Sequence, residues 1–185
     1  MHTEDKINID IFKVITRAIG ESDNLELMAT HLTQLLVGAL RSKGCVIFLL
    51  NPESKELEML ASSGLSVSYL NKGPVLSARS IRATVAGKPV VVRDVSRSDA
   101  LQYPKNAQEE GIAAIVSLPV IFRAKVIGAL RLYHHEVWAL SDRDLDSLQL
   151  LAENIGLAMM YTRLLNAVQA VRETVGEVHD IWLNG

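Results

Sequence analysis

One cysteine, Cys45, stands in 185 residues. That excludes an internal disulfide and any zinc site built from several cysteines. Aromatic residues make up only 5% of the chain and apolar residues 49%, so a core of ordinary size must be packed with aliphatic side chains. Net charge is -2 and no long run of Lys and Arg occurs, which removes the electrostatic footprint expected for nucleic-acid or anionic-membrane partners. No apolar stretch approaches the ~18 residues of a membrane span. The first residues, Met1 to Lys6, are polar and lack a basic segment leading into an apolar one, so no signal peptide is read there. Cytoplasmic placement is the expectation. Gly-rich phosphate loops and a Gly-x-Ser-x-Gly nucleophile elbow are also missing, and no spacing suggests a metal site.

The apolar pattern supplies the elements. Ile7, Ile11, Val14, Ile15 and Ala18 recur at helical spacing until Gly20. Ser22 or Asp23, with Glu26 positioned for a capping box on Asp23, predicts the start of a second helix. It presents Leu25, Met28, Leu32, Leu35, Leu36 and Ala39 and ends near Arg41. Cys45 to Leu50 is a continuous apolar run, the pattern of a central strand. Asn51-Pro52-Glu53-Ser54 predicts the turn of a hairpin, with Leu57 to Ala61 returning. A loop from Gly64 to Pro74 leads to a short helix over Ser77 to Ala86. Val90 to Val92 predicts a strand, and Ser96 to Glu110 a loop with a short mobile helix. Ile112 to Leu118 predicts a strand ended by Pro119. A turn at Arg123 to Lys125 precedes the last strand, Val126 to Tyr133. Ser141 is placed to cap a long final helix, with Asp142 and Asp144 as favourable charges in its first turn.

The expected fold is α+β. A central antiparallel sheet of about five or six strands carries the N- and C-terminal helices on one face and short helices and loops on the other. Three segments follow: 1–20 as a dimerisation helix, 21–163 as the domain, and 164–185 as a signalling or coiled-coil helix.

Four stretches resemble the GAF domain family: Gly87-Lys88-Pro89-Val90-Val91-Val92-Arg93-Asp94-Val95, Gly111 to Val120 with its Pro119, Val126 to Tyr133, and Leu140-Ser141-Asp142-Arg143-Asp144-Leu145. They stand in the family's order and spacing from roughly residue 22 to residue 162. The resemblance implies a sensory module, usually joined to a kinase, cyclase, phosphodiesterase or DNA-binding output, and no output domain of that size fits in this chain. Subfamily chemistries leave little trace. Bilin-binding relatives carry a cysteine beside a histidine, and Cys45 has none, although His134-His135 resembles a histidine position in those relatives. Relatives that reduce free methionine sulfoxide need several cysteines, one to attack and one to resolve. The Asn-Lys-Phe-Glu-Ser-type motif of cyclic-nucleotide binders is missing.

In the family the pocket lies on the sheet face away from the terminal helices. Here that implies Phe48, Ser117, Arg131 and Tyr133 from the strands, and Ser80, Thr84, Tyr103 and Asn106 from a lid spanning Ser66 to Glu110. Strand directions rest on alternation, which one residue of slip reverses. Arg79 and Arg82 flank Ser80, as a solvated face or as contacts to an anionic ligand. No cofactor is named by these residues.

The final helix holds a second signal. Leu150, Asn154, Leu157, Tyr161, Leu164, Val168, Val171, Val175, Val178 and Trp182 follow alternating steps of three and four, a heptad seam. Leu145, Leu148, Ala152, Ile155 and Met159 form a separate stripe for the sheet. A homodimer interface is therefore expected at Ile7, Ile11, Leu157, Tyr161, Leu164, Val168, Val171, Val175 and Val178, with Asn154 fixing register. The expected function is a non-catalytic sensor that binds a small ligand and signals through the dimer to an output protein, a kinase or transcriptional regulator, in trans. A ligand-free scaffold is the alternative, and a thiol enzyme using Cys45 the second alternative.

Overall fold

The computed structural model describes residues 7, 9–22, 24–54, 56–73, 82–99 and 101–183, with side chains along the last helix as far as residue 174. Two helices lead, α1 (Ile9–Gly20) and α2 (Leu25–Leu40). The cap of α2 is Asn24, whose side chain accepts from the Leu27 N–H at 3.0 Å. That corrects the capping box expected on Asp23, which lies outside the described residues. Asn and Asp cap almost equally well, so composition alone could not choose between neighbours. The helix closes on Arg41 in a left-handed conformation, φ 48°.

Strands β1 (Gly44–Leu50), β2 (Leu57–Ser63), β3 (Val90–Val92), β4 (Ala114–Phe122) and β5 (Lys125–His134) form one sheet in the order β2-β1-β5-β4-β3, with every neighbouring pair antiparallel. β1 and β4, which flank the central β5, carry no charged residue. β4 runs on through Pro119 to Phe122, past the end expected for it. β3 pairs only with Ile115 to Ser117. At Pro119 the strand therefore has a neighbour on the β5 side alone, the setting in which proline is tolerated.

Strand alternation divides the core in two. Ile47, Val116, Leu118, Leu130 and Leu132 face α1, α2 and α6 (Asp142–Leu183). Leu148, Ala152, Ile155 and Met159 come down from α6 onto that face, as their spacing predicts. Gly156 lets the helix approach closely, since a Cβ there would lie 2.7 Å from the Ile121 carbonyl oxygen. Val46, Phe48, Ile115, Ala129 and Tyr133 point to the opposite face. That face is covered by α3 (Val67–Leu70), α4 (Arg82–Val85), a 3-10 turn at Val95–Arg97 and α5 (Pro104–Glu109). α3 was not expected; it is one turn long, capped by Ser66. Of the helix expected over Ser77 to Ala86, residues 77–81 lie outside the described residues.

α6 begins after Ser141, whose hydroxyl accepts from the Asp144 N–H at 3.0 Å. Asp144 does more than complement the helix dipole. It is buried, and its carboxylate accepts from the Ile7 N–H at 3.0 Å, fastening the start of α1 to α6. Ile7, Ile11 and Ile15 then enter the domain's own core. This corrects their neighbourly reading: Ile7 and Ile11 were expected in a dimer interface, but burying such side chains, about 1.5–3 kcal/mol each, is already achieved within one chain. Among the described residues, no helix is long and apolar enough to cross a membrane.

Candidate functional site

The sheet face away from the long helices holds a small, partly open cavity of about 10 Å³, room for roughly one water. Ile115 of β4 and Arg131 of β5 form its floor, Tyr69 and Lys72 its wall, and Leu101, Gln102, Tyr103 and Ala107 its roof. The sheet register explains the floor. Ser117 pairs with Arg131 and Ile115 with Tyr133, so odd-numbered positions of both strands point away from the helices.

Two cations meet here. Arg131 is only 5% exposed. Its Nε–H is buried with no hydrogen-bond partner among the described residues, and its guanidinium lies 5.6 Å from the Tyr133 ring centre. Lys72 donates to the Tyr69 carbonyl at 2.9 Å and sits 3.7 Å over the Tyr69 ring. Burial, helped by the charge of Arg131, lowers the Lys72 ammonium to about 8. None of the described residues lining the cavity is acidic. Tyr69 meets Tyr133 edge to face at 5.7 Å, and burial raises both phenols above their ordinary value.

A latch stands beside the cavity. Ser66, the cap of α3, donates its N–H to Glu110 at 2.8 Å and its hydroxyl to the other carboxylate oxygen. Lys43 lies 3.6 Å from the same carboxylate. Burial works to raise the Glu110 carboxyl, but the bonds from Ser66 and the charge of Lys43 outweigh it and hold it below the usual range. Glu110 ends α5 and Ser66 starts α3, so this contact ties roof to wall. The Gln102 amide donates to the Tyr103 hydroxyl at 3.0 Å.

Of the eight residues expected to meet a ligand, Tyr103 and Arg131 line the cavity. Phe48 and Tyr133 pack in the surrounding apolar cluster. Ser117 is buried on the same sheet face, and Thr84 is buried on α4. Neither Asn106 nor these four reaches the cavity wall. Ser80 and Arg79 lie outside the described residues, and Arg82 is exposed. Tyr69, Lys72, Leu101 and Gln102 were missed, because they meet only when loops distant in sequence fold over the sheet.

Cys45 is fully buried on the helix side, and burial pushes its thiol up. His134 stacks on Trp138 and His135, with ring centres 5.0 and 4.6 Å apart, and its Nδ1 accepts from the Glu136 N–H at 3.1 Å. Among the described residues, no group of three or more His, Cys, Asp or Glu could hold a metal ion. On α6, Leu157, Tyr161, Leu164, Val168 and Val171 are all more than half exposed. The side chains of Val175 and Val178 lie outside the described residues.

The same fold occurs in solved structures. The GAF domain of an Acinetobacter phosphoenolpyruvate-protein phosphotransferase has 16% identity and a TM-score of 0.72, over 86% of this chain and 96% of that one. The corresponding domain from Coxiella burnetii has 19% identity and a TM-score of 0.73, over 86% and 96%. Free methionine-R-sulfoxide reductase from Neisseria meningitidis, solved with its substrate, has 16% identity and a TM-score of 0.74, over 89% and 96%. Among curated proteins, none matches the chain significantly. The sequence profile of the GAF domain matches residues 22–160. With that match over most of its length, and with this sheet and these covering helices, the chain belongs to the GAF domain family, whose members are generally sensory or regulatory modules.

Proposed function

We propose that this GAF domain is a non-catalytic sensor. It binds a small ligand between the sheet and the 101–107 roof, and transmits the event through a homodimer of α6 to an output protein. The observation that carries the reading is Arg131, buried and lining the cavity, whose Nε–H has no hydrogen-bond partner among the described residues. Structural positions rarely retain such a group, because an unpaired buried charge is expensive. The cavity is too small for more than about one water, so a ligand must lift the roof. That supplies a differential between two states, without which a ligand shifts no equilibrium. The burial of Cys45 argues against thiol chemistry, which requires an accessible thiolate.

The small cavity also favours a second reading, a ligand-free scaffold whose site is packed shut. Native mass spectrometry of protein from its host's lysate separates the two. A dimer carrying a defined extra mass supports the sensor. A dimer that stays bare after exposure to a metabolite library supports the scaffold. Transmission is tested with Val171→Cys, which Cys45 does not confuse because it is buried. Disulfide formation across the dimer should change in rate when the retained molecule is removed, and an identical rate would sink the signalling claim.

A further inference from the structure

We infer that the ligand is a small apolar carboxylate, its anionic head on Arg131 and Lys72 and its body against Tyr69 and Ile115. This rests on the reading of the cavity as a ligand site. Arg131 is more than nine-tenths buried, lines the cavity, and carries an Nε–H with no hydrogen-bond partner among the described residues. Lys72 contributes a second cation to the same lining. The Glu110 carboxylate nearby is engaged by Ser66 and Lys43. A neutral ligand would bring no charge to offset Arg131, and Lys72 has only the partial offset of Glu110. One anion compensates both, and the planar fork of arginine matches a carboxylate in two parallel hydrogen bonds.

The rest of the lining selects for an apolar body. Leu101, Ala107 and Ile115, with the Tyr69 and Tyr103 rings, offer surfaces that inorganic phosphate cannot use. No helix of useful length points its N-terminus at this cavity among the described residues. Phosphate, strongly hydrated and with no apolar body, would lose water without using these surfaces. Binding must displace the Leu101 to Ala107 roof, so a bound carboxylate also sets the position of α5.

The test uses the whole chain and three probes: benzoate, its neutral isostere benzamide, and inorganic phosphate. Binding is measured calorimetrically, and the Arg131 Nε–H and the backbone signals of Leu101 and Ala107 are followed by NMR. Benzoate should move all three signals and bind at least about ten-fold tighter than benzamide, the size expected of charge-assisted hydrogen bonds. Arg131→Gln should remove that preference, and Arg131→Lys, which keeps the charge, should restore part of it. Benzamide binding as tightly as benzoate would overturn the carboxylate and leave the ligand site standing. Tighter binding of phosphate would do the same. Silence of every signal with all three probes would overturn the site itself. A preference for benzoate that survives in Arg131→Gln would place the anion elsewhere.

Discussion

A buried Nε–H without a hydrogen-bond partner among the described residues costs stability, and Arg131 therefore links function to stability at one atom. Replacing it with methionine, of similar length and no charge, should leave the free protein as stable as before, or more stable by about 1 kcal/mol. Urea denaturation measures this, and a loss of more than that would show that Arg131 supports the fold. Lys72 adds a pH dependence. Its folded value of about 8 is below the ordinary 10.5, because burial and Arg131 disfavour its charge, with Glu110 opposing. Between those two pH values the unfolded chain holds more protons on this group than the folded one. Its contribution to stability therefore rises with pH through that window. Tyr69 works in the other sense above its ordinary 10.0, since the folded phenol keeps its proton longer. Lys72→Met should flatten the rise between pH 8 and 10, read from melting temperatures at fixed ionic strength. An unchanged profile would mean that Lys72 is not perturbed. Both residues were open to sequence reasoning in different degrees. Arg131 is a charge inside an apolar strand and stood out. Lys72 follows an ordinary loop, and only the folded wall beside Tyr69 makes it special.

At the level of elements, the long periodic segments were legible and the short ones were not. β1, β4 and β5 follow from apolar runs, and α6 from two interleaved stripes, because a buried face must repeat with the period of its backbone. α3 is a single turn, too short to show a period, and the cap of α2 shifted by one residue among equivalent candidates. The β4–β5 hairpin shows a local choice that composition concealed. Its turn residues, Arg123 and Ala124, both have positive φ, 48° and 61°, the geometry that favours Asn-Gly. A side chain with a Cβ is strained there by about 1–2 kcal/mol, partly offset by the flexibility of glycine in the unfolded chain. Ala124→Gly should therefore stabilise the protein by about 0.5–1 kcal/mol. Thermal unfolding would register this as a rise of a few degrees. A fall would mean that the turn relaxes without strain.

The whole molecule leaves a long apolar seam exposed on α6. α6 is 42 residues long, about 63 Å, and the sheet occupies only its first half. Leu150, Leu157, Tyr161, Leu164, Val168 and Val171 are between 53% and 64% exposed, on one seam of alternating three- and four-residue steps. Contiguous apolar surface of this kind is typical of interaction sites, and its heptad period fits the helical homodimer proposed above. The inward residues of α1 do not supply its complement, since they are already in the core. Asn154 sits within the seam and donates its side-chain amide to the Leu150 carbonyl at 2.9 Å. In a parallel pair, one polar residue at such a position favours a single register at some cost in affinity. Leu157→Glu combined with Leu164→Glu should give a monomer by light scattering, with far-ultraviolet circular dichroism of the domain retained because neither side chain supports the core. Asn154→Leu should tighten the dimer while making disulfide trapping at Val171→Cys less specific in register. A wild-type protein that is already monomeric at micromolar concentration would remove the dimer and with it the proposed route for the signal. A dimer untouched by both glutamates would move the interface to another face, and the exposed seam would then belong to a different partner.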